Sequence, residues 1–260
     1  MADIEYSVAD HIATILLNRP ASKNAFTLDM VSAWAGYLRA AQSDPDVRVV
    51  VLKGAGGAFC SGVDLAELAG RERTPLSQRT LLTDHIHPVA YAAHDLSKPY
   101  LAAVSGVAVG AGMDMSLMTD IRIAGESARF SEGYVRVGLV PGDGGCYYLP
   151  RIVGTAHALR LLCTGEFVDS AEALAIGLVS RVVPDHELDS AVTDLAATLA
   201  AQPPLAVQMI KRSIHAGQGQ DLRSALDSIA SHLAVVTSTA DSAEALTAFT
   251  QRRPGSYTGR

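Results

Sequence analysis

The chain has 260 residues, enough for one large domain or for a core with an appendage. A hydrophobic fraction of 48% and a charged fraction of 18% fit a packed globular protein and exclude a disordered one. A net charge of −6 leaves no basic footprint for nucleic acid, although a local cluster of cations can still meet an anionic ligand.

The N-terminal stretch MADIEYSVAD carries acidic residues and no apolar segment, so no signal peptide is expected. No charge-free apolar run approaches a membrane span, and no membrane partner is expected. Cys60, Cys146 and Cys163 are widely spaced without a CxxC pair. That pattern points to a reducing, cytoplasmic setting and away from a disulfide framework or a zinc site.

Residues 4–17 read as two short strands around the Ala9-Asp10 turn, ending at Asn18-Arg19-Pro20. From Thr27 to Ser43 the apolar spacing is helical, with Thr27 as N-cap. VRVVVLKG is a buried strand, and AGGAFCSG a glycine-rich loop feeding a short helix near Asp64. Residues 70–77, GRERTPLS, are charged and proline-broken and are expected to form a mobile surface loop. A helix then runs to about Asp95, followed by the strand YLAAVSG. The segment VAVGAGMDMSLM falls where a strand ends and a helix begins. DIRIAGE is a further strand, and RVGLVPGDGG a loop entering another short helix. Past Pro203-Pro204 the pattern is helical only, near 205–216, 221–237 and 241–251. The expected organisation is a mixed α/β core over 1–202 and a helical assembly region over 203–260.

Two features carry chemistry. Helix N-termini leave backbone N–H groups unpaired, and SGVDL and GAGMD each place such an end directly after a glycine turn. If the amides of Val63 and Ala111 converge, they form an oxyanion hole. The second feature is Asp114, a carboxylate among methionines and leucines, where a charge is costly without a partner or a task. GAGGAF fails the GxGxxG spacing of a dinucleotide site, and no tyrosine has a lysine four residues later as a short-chain reductase needs. His85 and His87 do not share a helical face, and with His94 they read as partly exposed helix residues, so no metal is expected. Cys60 reads as a small packing residue.

NRPASKNAF, GAFCSGVDL, VAVGAGMDMSLMTDIRIAGESARFSE, GLVPGDGG, LPRIVG and TGEFVDSAEALAIGLVSRVV resemble, in order, the crotonase (enoyl-CoA hydratase/isomerase) superfamily. The resemblance runs from about Asn18 to Arg253. It implies an α/β fold, a spiral of ββα turns, with C-terminal helices that build homotrimers, often paired into hexamers. It also implies an acyl-CoA thioester substrate of fatty acid metabolism, its carbonyl between the amides of Val63 and Ala111. Coenzyme A enters as part of the substrate, and no other cofactor is implied. Lys23 matches a contact to the CoA phosphates, and Ala58, Ser61, Asp64 and Leu65 match the lining of the adenine–pantetheine bend. Phe249 and Arg252, in AFTQRR, match CoA contacts that can come from a neighbouring subunit. Without the resemblance, Lys23 and Arg252 read as solvated surface charges.

Hydratases of the family use two glutamates. Asp114 matches the first, one methylene shorter, while Tyr134 stands at the second. A phenol, with a reference pKa of about 10, is a poor acid for this chemistry unless tuned. Asp143 and Glu132 are the nearby carboxylates; Asp143 can be aimed into a cleft by its glycine-flanked loop, or can cap the helix near Gly145. Glu132 fits a structural or surface role, and Asp143 is taken with Asp114 as the acid pair. The expected activity is hydration of 2-enoyl-CoA or a 3-enoyl to 2-enoyl double-bond shift. The alternative is a non-catalytic acyl-CoA-binding homologue lacking the second glutamate.

Overall fold

The computed structural model describes residues 2–69 and 74–260. Strands β1 (Ile4–Ala9) and β2 (Ile12–Leu17) form a hairpin whose two turn residues, Asp10 and His11, both adopt positive φ (50° and 65°). That conformation matches the twist of the flanking strands. A 3-10 turn at Pro20–Ser22 leads to α1 (Leu28–Ser43), where the Thr27 hydroxyl accepts from the Met30 amide at 3.2 Å, the predicted cap.

The large sheet has the order β1-β2-β3-β4-β6-β9, with β3 (Val49–Gly54), β4 (Tyr100–Val104), β6 (Ile121–Gly125) and β9 (Arg181–Val183) joined in parallel. A second sheet joins β5 (Val107–Val109), β7 (Arg129–Ser131) and the two-residue β8 (Val168–Asp169). The chain alternates between the two. After β3 it forms a bridge from Cys60 to Ala108 of β5 and enters α2 (Leu65–Leu68). After β4 it passes through β5 into α5 (Ala111–Leu117). After β6 it passes through β7 and a 3-10 segment, Gly133–Val137, to α6 (Gly145–Val153) and α7 (Thr155–Thr164). This repeated strand, short strand and helix is the expected spiral.

Thr74 caps α3 (Pro75–Thr80) through a reciprocal bond with Ser77. Residues 74–77 therefore open a helix instead of the expected loop, because proline is well suited to the first helical turn. The remainder of that expectation, residues 70–73, lies outside the described residues. Leu81–Ile86 continues at the wider π pitch into α4 (His87–Asp95).

Parallel strands carry apolar side chains on both faces. One face of the large sheet, with Ile15, Val50, Leu52 and Ala102, packs against α1 and α4. The other, with Val49, Val51, Leu101 and Ile123, packs against α9 (Leu188–Ala200), which follows α8 (Ser170–Ala175). In the first layer the buried Trp34 Nε1 donates to the Tyr100 hydroxyl at 2.9 Å. Tyr100→Phe strands that donor, and urea unfolding should report a loss of about 1–3 kcal/mol. A loss indistinguishable from zero would show that Trp34 finds another acceptor.

The predicted C-terminal helices are α10 (Pro204–Gly217), α11 (Leu222–Thr237) and α12 (Ala240–Gln251). Lys211 anchors α10 by an ion pair to Asp120 at 2.7 Å and by donating to the Lys98 carbonyl at 2.9 Å. Ile210, Ile214, Leu226, Ile229 and Leu233 stay exposed on α10 and α11. No helix among the described residues is long and apolar enough to cross a membrane.

Candidate active site

The 60–63 segment is stitched on both sides. Cys60 pairs with β5 through Val107 O (2.9 Å) and the Val109 amide (3.0 Å). Opposite, Phe26 pairs with Gly62 O (2.9 Å) and the Asp64 amide (2.8 Å). The second bridge leaves the Val63 N–H directed to the other edge, the one along which Cys60 meets β5. Gly62, at φ +100°, makes that reversal, and Gly110, at φ +52°, turns the chain from β5 into α5. A Cβ on Gly62 would stand 3.0 Å from Val109 O and 3.7 Å from the Ala111 amide nitrogen. The two turns are therefore in contact. Ala111 opens α5 and no side chain caps it. Among the described residues neither the Val63 nor the Ala111 amide donates a hydrogen bond.

One turn further along α5, whose seven residues are all buried, lies Asp114. The Tyr134 hydroxyl contacts Asp114 Oδ2 at 2.9 Å and Asp143 Oδ2 at 2.7 Å. A phenol has one hydrogen, so the second contact is attractive only when one carboxyl is protonated. Burial first, then repulsion from Asp143, pushes Asp114 up to about 7. Burial likewise raises Asp143, against the pull of the Tyr134 hydroxyl and of His87. The three groups form one hydrogen-bonded cluster in which the charge of Asp143 opposes ionisation of Asp114.

Asp143 does not cap α6, whose N-cap is Gly144 without a side-chain bond. Instead its loop is held from α4, where His87 Nε2 lies 3.0 Å from the Gly142 carbonyl oxygen. The sequence showed His87 only as half of an unproductive HxH pair; its role depends on a contact 55 residues away. Glu132 is fully buried, which overturns a surface role. Its carboxyl is within hydrogen-bonding reach of Asp114, and burial pushes it up to about 10. The available signal was its place directly after the buried pair Phe130-Ser131 of β7.

The residues matched to CoA divide. Lys23, Ala58 and Ser61 lie on neighbouring segments: the Ser61 amide donates to Lys23 O at 3.0 Å, Asn24 next to Lys23 donates through Nδ2 to Ala58 O at 2.7 Å, and Lys23 itself is exposed. Leu65 is exposed beside them, whereas the Asp64 carboxylate is engaged by Arg19 at 2.9 Å and by the Ala66 amide. Phe249 and Arg252 are exposed at the end of α12, with no hydrogen bond or ion pair to that group among the described residues. Cys60 packs as expected, its Sγ donating to Asn24 O at 3.1 Å, and burial pushes its thiol up to about 12. A cavity of about 430 Å³ lies elsewhere, between α4, α6 and α10, lined by Met118, Asp120, Arg122 and Lys211.

The two-sheet spiral with a buried acid on its central short helix is the crotonase fold. The enoyl-CoA hydratase/isomerase family model matches residues 7–260, and the chain belongs to that family. A probable enoyl-CoA hydratase of Rhodobacter capsulatus is 35% identical over 99% of this chain and 98% of its own. The 1,2-epoxyphenylacetyl-CoA isomerase of Escherichia coli is 32% identical over 96% of this chain and 95% of its own. The crystal structure of enoyl-CoA hydratase from Bacillus anthracis superimposes with a TM-score of 0.95 at 33% identity, covering all of both chains. The protein is accordingly an enzyme of the hydratase/isomerase family.

Proposed function

We propose that the protein binds an acyl-CoA thioester, polarises its carbonyl with the amides of Val63 and Ala111, and shifts a double bond from the 3- to the 2-position. Ionised Asp114 takes the proton from C2, leaving a dienolate whose oxygen the two amides stabilise. Protonated Asp143 returns a proton to C4. Tyr134 then passes its hydrogen to Asp143 and receives one from Asp114, restoring the starting state. The observation that carries this reading is the single phenol in contact with both carboxyls, 2.9 and 2.7 Å away.

Hydration is the second reading, favoured by the names of relatives such as the Rhodobacter capsulatus protein. It needs both carboxylates to hold one water, and the Tyr134 oxygen occupies a position bridging them. Lys23, Ala58, Ser61, Asp64 and Leu65 are proposed to meet CoA, with Phe249 and Arg252 supplied by a neighbouring subunit of a trimer or hexamer. The exposed apolar residues of α10 and α11 support such assembly. A cytoplasmic location is proposed from the three free cysteines.

Incubation with 3-enoyl-CoA should produce the absorbance of a conjugated thioester with no change in mass. Incubation with 2-enoyl-CoA that adds the mass of one water would instead establish hydration. Tight binding of both with turnover of neither would leave only the non-catalytic alternative.

A further inference from the structure

Glu132 Oε1 and Oε2 and Asp114 Oδ1 are buried without a well-formed hydrogen bond among the described residues, although the Gly145 amide also lies toward the Asp114 carboxyl. Unpaired buried oxygens of this kind are costly, and two adjoining carboxylates cannot relieve one another. The two side chains nevertheless lie within hydrogen-bonding reach. We propose that Glu132 is a positioning residue held as a neutral carboxylic acid, donating its one hydrogen to Asp114 Oδ1 and so keeping Oδ2 on the Tyr134 hydroxyl. One proton then satisfies two of the three stranded oxygens.

The surroundings agree. The groups facing Glu132 are Asp114 from α5, Asp143 from the loop before α6, and Cys146 from α6. Tyr134 faces it from its own segment. All are acids, and His87, against the Asp143 loop, is a basic group near the cluster. Burial and these neighbours disfavour a negative charge on Glu132, so its proton stays through the range in which Asp114 titrates. A permanent donor on Asp114 stabilises the ionised form that abstracts a proton. The catalytic consequence rests on the proposed role of Asp114; the protonation of Glu132 does not.

Infrared difference spectra of the ligand-free protein, wild type against Glu132→Gln, separate the two. At about pH 8.5 an ordinary carboxyl is fully ionised. A carboxylic C=O band that is present in wild type and missing from Glu132→Gln is expected in the difference spectrum, any band of protonated Asp143 being common to both and cancelling; a difference spectrum without that band overturns the proposal whatever the enzyme turns over. In the pH profile of kcat/KM, Glu132→Gln keeps an amide donor and should leave the ascending limb in place. Glu132→Leu removes the donor and should move that limb upward by about one pH unit with little change in KM. An equal shift in both variants, or none in Glu132→Leu, would show that Glu132 only fills space.

Discussion

Asp114→Asn is expected to lower kcat by about 10²–10⁴-fold while leaving KM nearly unchanged, the loss typical of removing a positioned acid–base group. The carboxamide keeps the size of the side chain and can still accept from the Tyr134 hydroxyl, but it cannot take a proton from carbon. The same variant should gain stability at high pH. The ordinary value of 3.8 is raised to about 7 in the folded protein, chiefly by burial. Between those values the native state holds a proton that the unfolded chain has released, so stability falls as pH rises. This contribution is complete below the lower value and lost above the upper one. Thermal unfolding at pH 5 and pH 8 should show wild type losing more stability between the two than Asp114→Asn. Undiminished turnover in the variant would remove Asp114 from the reaction.

Ala111→Pro is expected to cost about 10²-fold in kcat/KM, on the order of 3 kcal/mol of barrier. Proline has no N–H to offer an oxyanion. Ala111 is the first residue of α5, where no intrahelical bond uses that amide, so the helix can accept the ring. Ala111→Gly keeps the amide and should retain activity, which controls for the side chain. Circular dichroism should confirm that Ala111→Pro folds; a folded variant with wild-type kcat/KM would show that the oxyanion lies elsewhere.

Local signals foretold the features set by local physics. The hairpin, the capped α1, the short helix at Asp64 and the three terminal helices each follow from spacing or a capping residue within a few positions. Asp114 stood out because a carboxylate in an apolar helix is anomalous. The second sheet was not legible, since β5, β7 and β8 are two to three residues long and pair across distances no periodicity marks. Pro75 read as a breaker because its cap, Thr74, lies in a charged stretch that hides the helix start. The bond between Tyr134 and both aspartates, the burial of Glu132 and the grip of His87 on Gly142 all depend on tertiary approach. In sequence, Tyr134 registered only as a missing glutamate.

Leu81–Ile86 carries more residues per turn than the helix it feeds. An insertion or deletion that this wide turn does not absorb would swing everything beyond by about 100° around the axis. His87 would then rotate off the Gly142 carbonyl, and the strand of chain bearing Asp143 would go slack. Evolution can thus exchange the exposed side chains of this stretch freely, yet its residue count is locked to the geometry of an acid more than fifty positions downstream.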